Sequence, residues 1–564
     1  MYQDNLFREL VIDNFAGGGG ASTGMELALG FPVDIAINHD ADAIAMHKVN
    51  HPYTRHYQED VFAIDPERMT GGRTVGIAWF SPDCKHFSRA KGGKPVDKKI
   101  RGLSWVVLRW AMSSVAPRVI FMENVPEIKT WCPLIEIDGQ MRPDPAREGE
   151  TFNGFVAMLT GGIEKDHPAF SEACEFLKIE PDSEDGDRLA AGLGYAVAWK
   201  ELKACDYGAP TIRNRFYLIA RRDGQPIVFP EPTHGKGRKP YRTAAECIDW
   251  SLPCPSIFGR KKELAENTLR RIARGLDKFV LRNASPCIMC NNTNNVPHGV
   301  NEPLPTQTTG NRNYLCAPSL VQYHSEQGKG EVRGQEIGKP IMTIDGSPRY
   351  AMSACYLTKY FSGARQAGAS LAEPAPTVTA IDHSALAAAN LLHYYGGADH
   401  ASRVDSPLPT VTTLPRHYVV KTYLQKIDAA QDFGNWACVR EILNKYAGYS
   451  IAADEIFIME IDGERYFISD IGMRMLKARE LMLAQGFPPD YIIDIESHIG
   501  KRYSEAKQIA RMGNAVCPPV AEALVRANCA EIASQRVIAT MAMLNAVIDE
   551  SCHRKRKYRR VAQA

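Results

Sequence analysis

No stretch of the 564-residue chain approaches the roughly 20 uninterrupted apolar residues that a membrane-spanning helix needs. The opening MYQDNLFREL likewise lacks the apolar centre of a secretory signal, so no membrane partner and a cytoplasmic location are expected. Cysteine is present but without framework spacing: 14 thiols lie scattered along the chain, which suits reduced side chains in a reducing compartment. Cys287 and Cys290 form a CxxC, yet no second pair stands at zinc-site distance and CIMCNNTNN reads as a strand running into a turn. No metal is expected. Net charge is almost missing too, since 67 basic and 65 acidic residues leave +2, which neither demands nor excludes a nucleic-acid partner. With 45% hydrophobic and 23% charged residues, extended disorder and fibrous repeats are excluded. At about 150 residues per domain the chain divides into about two to four lobes.

What is present begins with ELVIDNFAGGGGASTGMELALG, a short apolar strand that passes through four glycines into a helical pattern. VDIAINHD, VGIAWF and RVIFMENV are further apolar runs with polar ends, and the helix-like ADAIAMHKVN follows the first of them. Strands alternating with helices imply an α/β lobe built on a parallel sheet, whose ligands bind at the carboxyl ends of the strands. Those ends carry Gly17 to Gly20, Asn38, Cys84 and Glu123. The glycine run fails two common tests. A dinucleotide loop spaces its glycines at relative positions one, three and six, where this chain has Ser22 or Thr23 at the sixth; a phosphate loop needs a lysine where Met25 follows Gly24. A loop bare of side chains still lets another adenine-bearing cofactor lie close to the backbone.

Residues 144–188 are acidic and helical and read as an insertion before the sheet resumes in GYAVAWKELKACDYGAPTIRNRFYLIA. Proline, glycine and lysine crowd QPIVFPEPTHGKGRKP, which marks a boundary near residue 230. Beyond it stand four divergent repeats, EPLPTQTTGNR, KPIMTIDGSPR, EPAPTVTAIDH and SPLPTVTTLPR. Their anchors Thr306, Thr343, Thr377 and Thr410 lie 37, 34 and 33 residues apart, a period that signals an array of supersecondary units. Arg312, Arg349, His383 or Arg416 falls six residues after each anchor. Each unit reads as a strand pair with a proline-initiated turn, and the array as a mainly β lobe whose basic positions suit phosphate contacts.

Taken in order, the motifs are similar to those of the DNA cytosine carbon-5 methyltransferases. DNFAGGGGASTGME resembles that family's first S-adenosylmethionine motif, PDCKHFS its catalytic-cysteine motif, MENV its glutamate motif and YGAPTIRNRFYLIA its paired-arginine motif. RMLKARELMLAQGFP and MGNAVCPPVAEAL resemble its last two. The resemblance implies a doubly wound, Rossmann-like lobe over residues 1–230, an inserted mainly β target-recognition domain over 231–470, and a segment 471–564 that returns to complete the catalytic lobe. It also implies S-adenosyl-L-methionine as cofactor and double-stranded DNA as partner. A monomer on DNA, a cognate restriction endonuclease as a candidate partner and a bacterial or phage-encoded source go with it.

The roles it implies fit the chemistry. Carbon 5 of cytosine is a poor nucleophile until a thiolate adds to carbon 6, and Cys84 would supply that thiolate. Glu123 would bond or protonate the ring at nitrogen 3, while Arg215, with Arg213 alongside, would hold the exocyclic oxygen and stabilise the developing charge. The base must leave the duplex to be reached. Phe15, Ala16, Gly17, Gly19, Asn38, His39, Asp60 and Asn514 match cofactor contacts. Lys85, Ser88, Arg89 and Lys91 open a basic run, with seven lysines or arginines and one acid from Lys85 to Arg101, that reads as a loop closing over DNA phosphates. The tail HRKRKYRR reads equally as a solvated end or a further phosphate contact.

Several positions depart from the family pattern. Asn38 replaces the acid usually bonded to the ribose hydroxyls, His39 stands where an apolar or aromatic residue commonly meets the adenine, and Thr211 replaces a glutamine. Asp83 and Lys85 flank Cys84 in place of proline and glutamine; the anion raises a thiol pKa and the cation lowers it. Two other readings stay open at this level: methylation of cytosine in RNA, and a DNA-binding relative with impaired catalysis.

Overall fold

The computed structural model describes residues 8–83, 87, 101–137, 139–281, short strands between 287 and 427, and 432–461, 464–496 and 499–533. The repeat anchors, together with Arg312, Arg349, His383 and Arg416, lie outside the described residues, as do Cys84, Lys85, Ser88, Arg89, Lys91 and the basic tail. The chain divides into two compact units, one of residues 1–202, 215–231 and 520–564, the other of 203–214 and 232–519. The segment from 471 is therefore split: 471–519 belongs to the second unit and 520–533 to the first. No helix among the described residues is long and apolar enough to cross a membrane, and no group of three or more metal-ligating side chains occurs among them.

The first unit is α/β. Its strands are β1 (Leu10–Asn14), β2 (Ile35–Ile37), β3 (Arg55–Tyr57), β4 (Val75–Phe80) and β5 (Val119–Asn124). The helices α1 (Gly20–Leu29), α2 (Ala41–Asn50), α3 (Pro66–Thr70) and α4 (Val106–Met112) alternate with them. A hairpin of β6 (Leu134–Ile137) and β7 (Gln140–Pro143) follows, then α5 (Glu150–Leu159), α6 (Pro168–Leu177), α7 (Glu184–Ala191), β8 (Ala196–Lys203) and β9 (Asn214–Arg221). The sheet order is β3-β2-β1-β4-β5-β9-β8.

The five leading strands pair in parallel. β1, β2, β4 and β5 are buried at every residue, as expected of strands covered on both faces. The expected all-parallel sheet is corrected at β9, which runs antiparallel to β5 with Glu123 opposite Tyr217 and Asn124 opposite Phe216. The physical reason is the connection: residues 204–213 between β8 and β9 are too few for the dozen or more that a parallel crossover takes.

Side chains alternate across the sheet. Ile12, Ile37, Phe80, Ile120, Met122, Phe216 and Leu218 share a core with α4, α5 and α6 that includes Trp105, Trp110, Trp131 and Phe155. The opposite phase of β4 and β5 brings Trp79 and Phe121 into a stack with ring centroids 5.3 Å apart, and Tyr217 edges onto Trp79 at 6.4 Å. Capping fixes the helix entries: Asp40 accepts from the Asp42 and Ala43 amides at the start of α2.

The second unit holds an eight-stranded sheet whose described pairings are all antiparallel. Within it lie α8 (Glu266–Leu276), β10 (Leu386–His393), β11 (His417–Lys426), α9 (Trp436–Ala447) and β12 (Glu464–Met475), with β11 between β10 and β12. In β11 the buried residues Val420, Thr422 and Leu424 recur with the period of a sheet that turns one face to a core. The short helices α10 (Ala478–Ala484) and α11 (Glu505–Asn514) complete the described part of this unit, and α12 (Pro518–Ala533) carries the chain back to the first.

Within the first unit, Arg118 gathers carboxylates from three distant segments: Glu9 at 2.8 Å, Asp223 at 3.0 Å and Glu531 of α12 at 2.6 Å. Arg118→Met would leave three acids facing one another without their cation. A loss of about 2 kcal/mol in urea unfolding is expected, the lower side of what breaking an enclosed ion pair costs because the cluster is partly exposed.

Candidate active site

Register brings the functional ends together. Asn14, the last residue of β1, stands opposite both Ile37 of β2 and Phe80 of β4, and Phe80 stands opposite Met122 of β5. Residues 15–19, 38–39, 81–83 and 123–124 therefore leave one edge of the sheet. The strand order reverses direction between β1 and β4, the place where such sheets bind ligands.

The glycine loop is tightly built. The Ala16 amide donates to the Ile37 carbonyl at 3.0 Å, and the Gly17 amide donates back to Phe15 at 2.6 Å, a turn centred on Ala16. Phe15 holds φ of 63°, a left-handed conformation uncommon outside glycine, and its ring packs against the core. Gly19 has φ of 77° and caps α1 without a side-chain hydrogen bond. Gly17 differs: its φ is ordinary, and a Cβ there would meet only the Phe15 carbonyl oxygen at 3.7 Å. Neither the protein's packing nor its backbone requires glycine at 17, so the bare position suits a ligand lying against the chain. Asn14 adds a second sign, being buried with neither polar atom of its side chain hydrogen-bonded.

Asn38 is buried, and its Oδ1 accepts from the Asp40 amide at 2.9 Å, which turns the chain into α2. That leaves its amide nitrogen as the donor facing any hydroxyl. His39 is exposed, and Asp60 is exposed with Oδ1 accepting from the Phe62 amide at 3.0 Å. Glu123 and Arg215 are buried together, Arg215 Nε lying 3.3 Å from Glu123 Oε1. The antiparallel return of β9 makes this pair, because Arg215 is the diagonal neighbour of Glu123 across the strands. Asp83, next to Cys84 in sequence, is half-buried.

The other predicted positions belong to the second unit. Arg213 is buried and donates from Nη1 to the Gly513 carbonyl at 2.9 Å, one residue before the exposed Asn514 at the end of α11. Thr211 is buried and its hydroxyl accepts from the Arg213 amide at 3.3 Å. Arg213 and Arg215 thus differ in partner: a backbone carbonyl for the first, a carboxylate for the second.

Sequence reasoning missed a buried polar chain behind the loop. Ser22 Oγ donates to Asp13 Oδ2 at 2.7 Å, His47 Nε2 lies 3.0 Å from Ser22 Oγ, and His56 Nε2 lies 2.8 Å from His47 Nδ1. His51 pairs with Glu26 at 2.9 Å, and its ring lies 4.3 Å from that of His47. Burial pushes the Asp13 carboxyl up to about 7, holds His47 well below the usual histidine range, and, with help from Lys48 and His51, brings His56 down to about 4. The available signal was histidine at 47 and 51, one helical turn apart, on a helix whose neighbours are apolar.

A loop at the switch point of an α/β sheet, with a buried acid and guanidinium on the same edge, is the arrangement at which proteins of this class bind ligands. Residues 10–131 and 413–529 match the C-5 cytosine-specific DNA methylase family. It is 26% identical over 233 residues to the type II methyltransferase M.AgeI of Thalassovita gelatinovora, covering 40% of this chain and 43% of that protein. It is 25% identical over 260 residues to the type II methyltransferase M.AquIA of Picosynechococcus, covering 43% and 88%. The chain thus spans less than half the length of M.AgeI. Among solved structures, the S. pombe Dnmt2 methyltransferase is 12% identical, with 92% of this chain and 98% of that one covered and a TM-score of 0.39.

The histidine chain carries a stability signature. A histidine kept neutral by the fold contributes fully above its unfolded pKa near 6.5, and that contribution is lost as pH falls. The stability advantage of the wild type over His47→Gln is expected to shrink from pH 6.5 towards pH 4, by up to about 1.4 kcal/mol per pH unit for one proton. Urea unfolding across that range measures it, and Asp13, whose raised pKa acts in the opposite sense, is common to both proteins.

Proposed function

We propose that the protein is a sequence-specific DNA methyltransferase that places a methyl group on carbon 5 of a flipped cytosine. The observation that supports this most directly is the buried Glu123–Arg215 pair on the same sheet edge as the glycine loop, in a chain that matches the C-5 cytosine-specific DNA methylase family. In this reading 1–230 is a doubly wound, Rossmann-like catalytic lobe, 231–470 an inserted mainly β target-recognition domain, and 471–564 a segment completing the catalytic lobe.

S-adenosyl-L-methionine, when bound, supplies an electrophilic methyl group. Phe15, Ala16, Gly17 and Gly19 would cradle it, with Asn38, His39 and Asp60 towards the nucleoside, and Asn514 is a further candidate contact by its motif. The Cys84 thiolate forms a bond to carbon 6 of the cytosine, and the ring's electrons move towards nitrogen 3. Glu123 would hydrogen-bond or protonate that edge as the charge develops, while Arg215 holds the exocyclic oxygen; the two side chains already stand together on the sheet edge. Arg213, bonded to the Gly513 carbonyl, steadies the turn that carries Asn514. After methylation, removal of the carbon-5 proton expels Cys84 and returns its electron pair to sulfur. Lys85, Ser88, Arg89 and Lys91 would meet the DNA backbone beside the target, and Arg312, Arg349 and Arg416 would meet it from the recognition domain. Double-stranded DNA is the substrate, with a cognate restriction endonuclease as the partner activity in a bacterial or phage setting; the enzyme acts as a cytoplasmic monomer.

Transfer of labelled methyl groups to mixed-sequence duplex DNA tests the reading, and Cys84→Ala is expected to abolish it. Glu123→Gln should lower the rate by about 10²-fold or more, as expected for loss of an acid used in the transition state. A duplex containing 5-fluorocytosine should trap wild type covalently and Cys84→Ala not at all; labelling of RNA but not DNA would overturn the substrate assignment. Gly17→Val should melt with the wild type yet bind S-adenosylhomocysteine at least about tenfold more weakly, since its side chain enters space the protein itself leaves open.

A further inference from the structure

The polar chain behind the glycine loop has a direction. The single Ser22 hydroxyl proton goes to Asp13, so the contact between Ser22 and His47 requires the Nε2 proton of His47 as donor. His47 is neutral, which makes its Nδ1 the acceptor and the Nε2–H of half-buried His56 the donor to it. Every proton in the series His56, His47, Ser22 therefore points inward to one fully buried carboxylate. The ends of that series bracket the cofactor loop: Asp13 lies on β1 before it and Ser22 in the first turn of α1 after it, and the Ser22 amide also bonds to Asp13.

Resting on the cofactor reading above, we infer that His47 is a positioning residue for the glycine loop, acting through Ser22 on Asp13, and that the series makes methyl-donor binding respond to pH. When Asp13 is ionised it accepts from Ser22 and draws the start of α1 onto β1, setting the span that residues 15–19 must bridge. When a proton arrives, the carboxyl becomes a weaker acceptor and can itself donate to Ser22 Oγ. Ser22 Oγ then accepts from both Asp13 and the His47 Nε2–H, its own proton no longer bonds to Asp13, and the clamp on the loop loosens. The proton comes from solvent, so no other reactant is involved.

Other charges face the series from each packed element: Glu26 on α1, and Lys48 and His51 on α2. Glu26 opposes ionisation of Asp13 and His51 favours it, while Lys48 and His51 keep His56 neutral. These groups tune the series, but none interposes between Asp13 and Ser22. The three contacts of 2.7, 3.0 and 2.8 Å are what join β3, α2, α1 and β1 into one unit of response.

Calorimetric binding of S-adenosylhomocysteine from pH 6 to pH 8 tests the inference in the full-length protein. In wild type the Kd is expected to rise on acidification, approaching about tenfold per pH unit below neutrality, the limit for one coupled proton. Asp13→Asn should give a flat profile, and Ser22→Ala, a small change that keeps the fold accessible, should move the midpoint to higher pH. In the ligand-free wild type, the ring resonances of His47 and His56 should not titrate between pH 8 and pH 5. A flat wild-type profile, a Ser22→Ala profile matching wild type, or titration of either ring near pH 6.5 overturns the relay. Absence of binding at every pH instead removes the cofactor reading on which it rests.

Discussion

The first unit depends on the in-register parallel pairing of β1 with β2 and β4, and of β4 with β5. Because Asn14, Ile37, Phe80 and Met122 stand side by side, the chain is forced to leave the sheet along a single edge. A slip of one residue in any of these strands would send its side chains to the opposite face and carry its loop away from the others. The buried bidentate pair of Arg8 with Asp34, whose Oδ2 also accepts from the Val11 amide, pins β1 against the entry to β2 and so guards that register. The loop geometry, the placement of Glu123 and the approach of Arg215 are all consequences of it.

Upon this edge two kinds of polarity are layered. Facing outward are groups suited to a ligand: the bare backbone at Gly17, the amide of Asn38, the Glu123–Arg215 pair. Facing inward is a series of hydrogen bonds from His56 through His47 and Ser22, ending on Asp13. Buried polar groups of the second kind are costly unless each finds a partner, and here they find one another across four secondary-structure elements. Their role is one of arrangement, and the outward groups inherit their positions from it.

Much of this was legible in the sequence. VGIAWF and RVIFMENV are apolar runs, the second with polar ends, that read as buried strands, and ADAIAMHKVN coincides with α2 from its first residue to its last. The glycine loop and the glutamate were legible as motifs. The direction of β9 was not, because a strand's own residues do not encode whether its partner runs alongside or against it; the connection decides. The Glu123–Arg215 contact was hidden for the same reason, being made by pairing between segments far apart in sequence. His47 and His56 escaped because a histidine on a helix or a short edge strand looks the same whether it meets water or a buried serine. Cys84 and the repeat arginines lie outside the described residues, and their roles rest on motif likeness and chemistry alone.

Arg118 bears on how the molecule comes into being. Its guanidinium holds acids from the first strand's approach, from the turn after β9 and from α12. Asn528 of the same helix exchanges two hydrogen bonds with the backbone of Val228. As the chain emerges from a ribosome, Glu9 and Asp223 are in place long before Glu531 is made. The sheet can collapse early, but its amino-terminal edge stays open until the last described helix arrives. The whole second unit is thus synthesised inside an unfinished first one, and the first unit is sealed only after it.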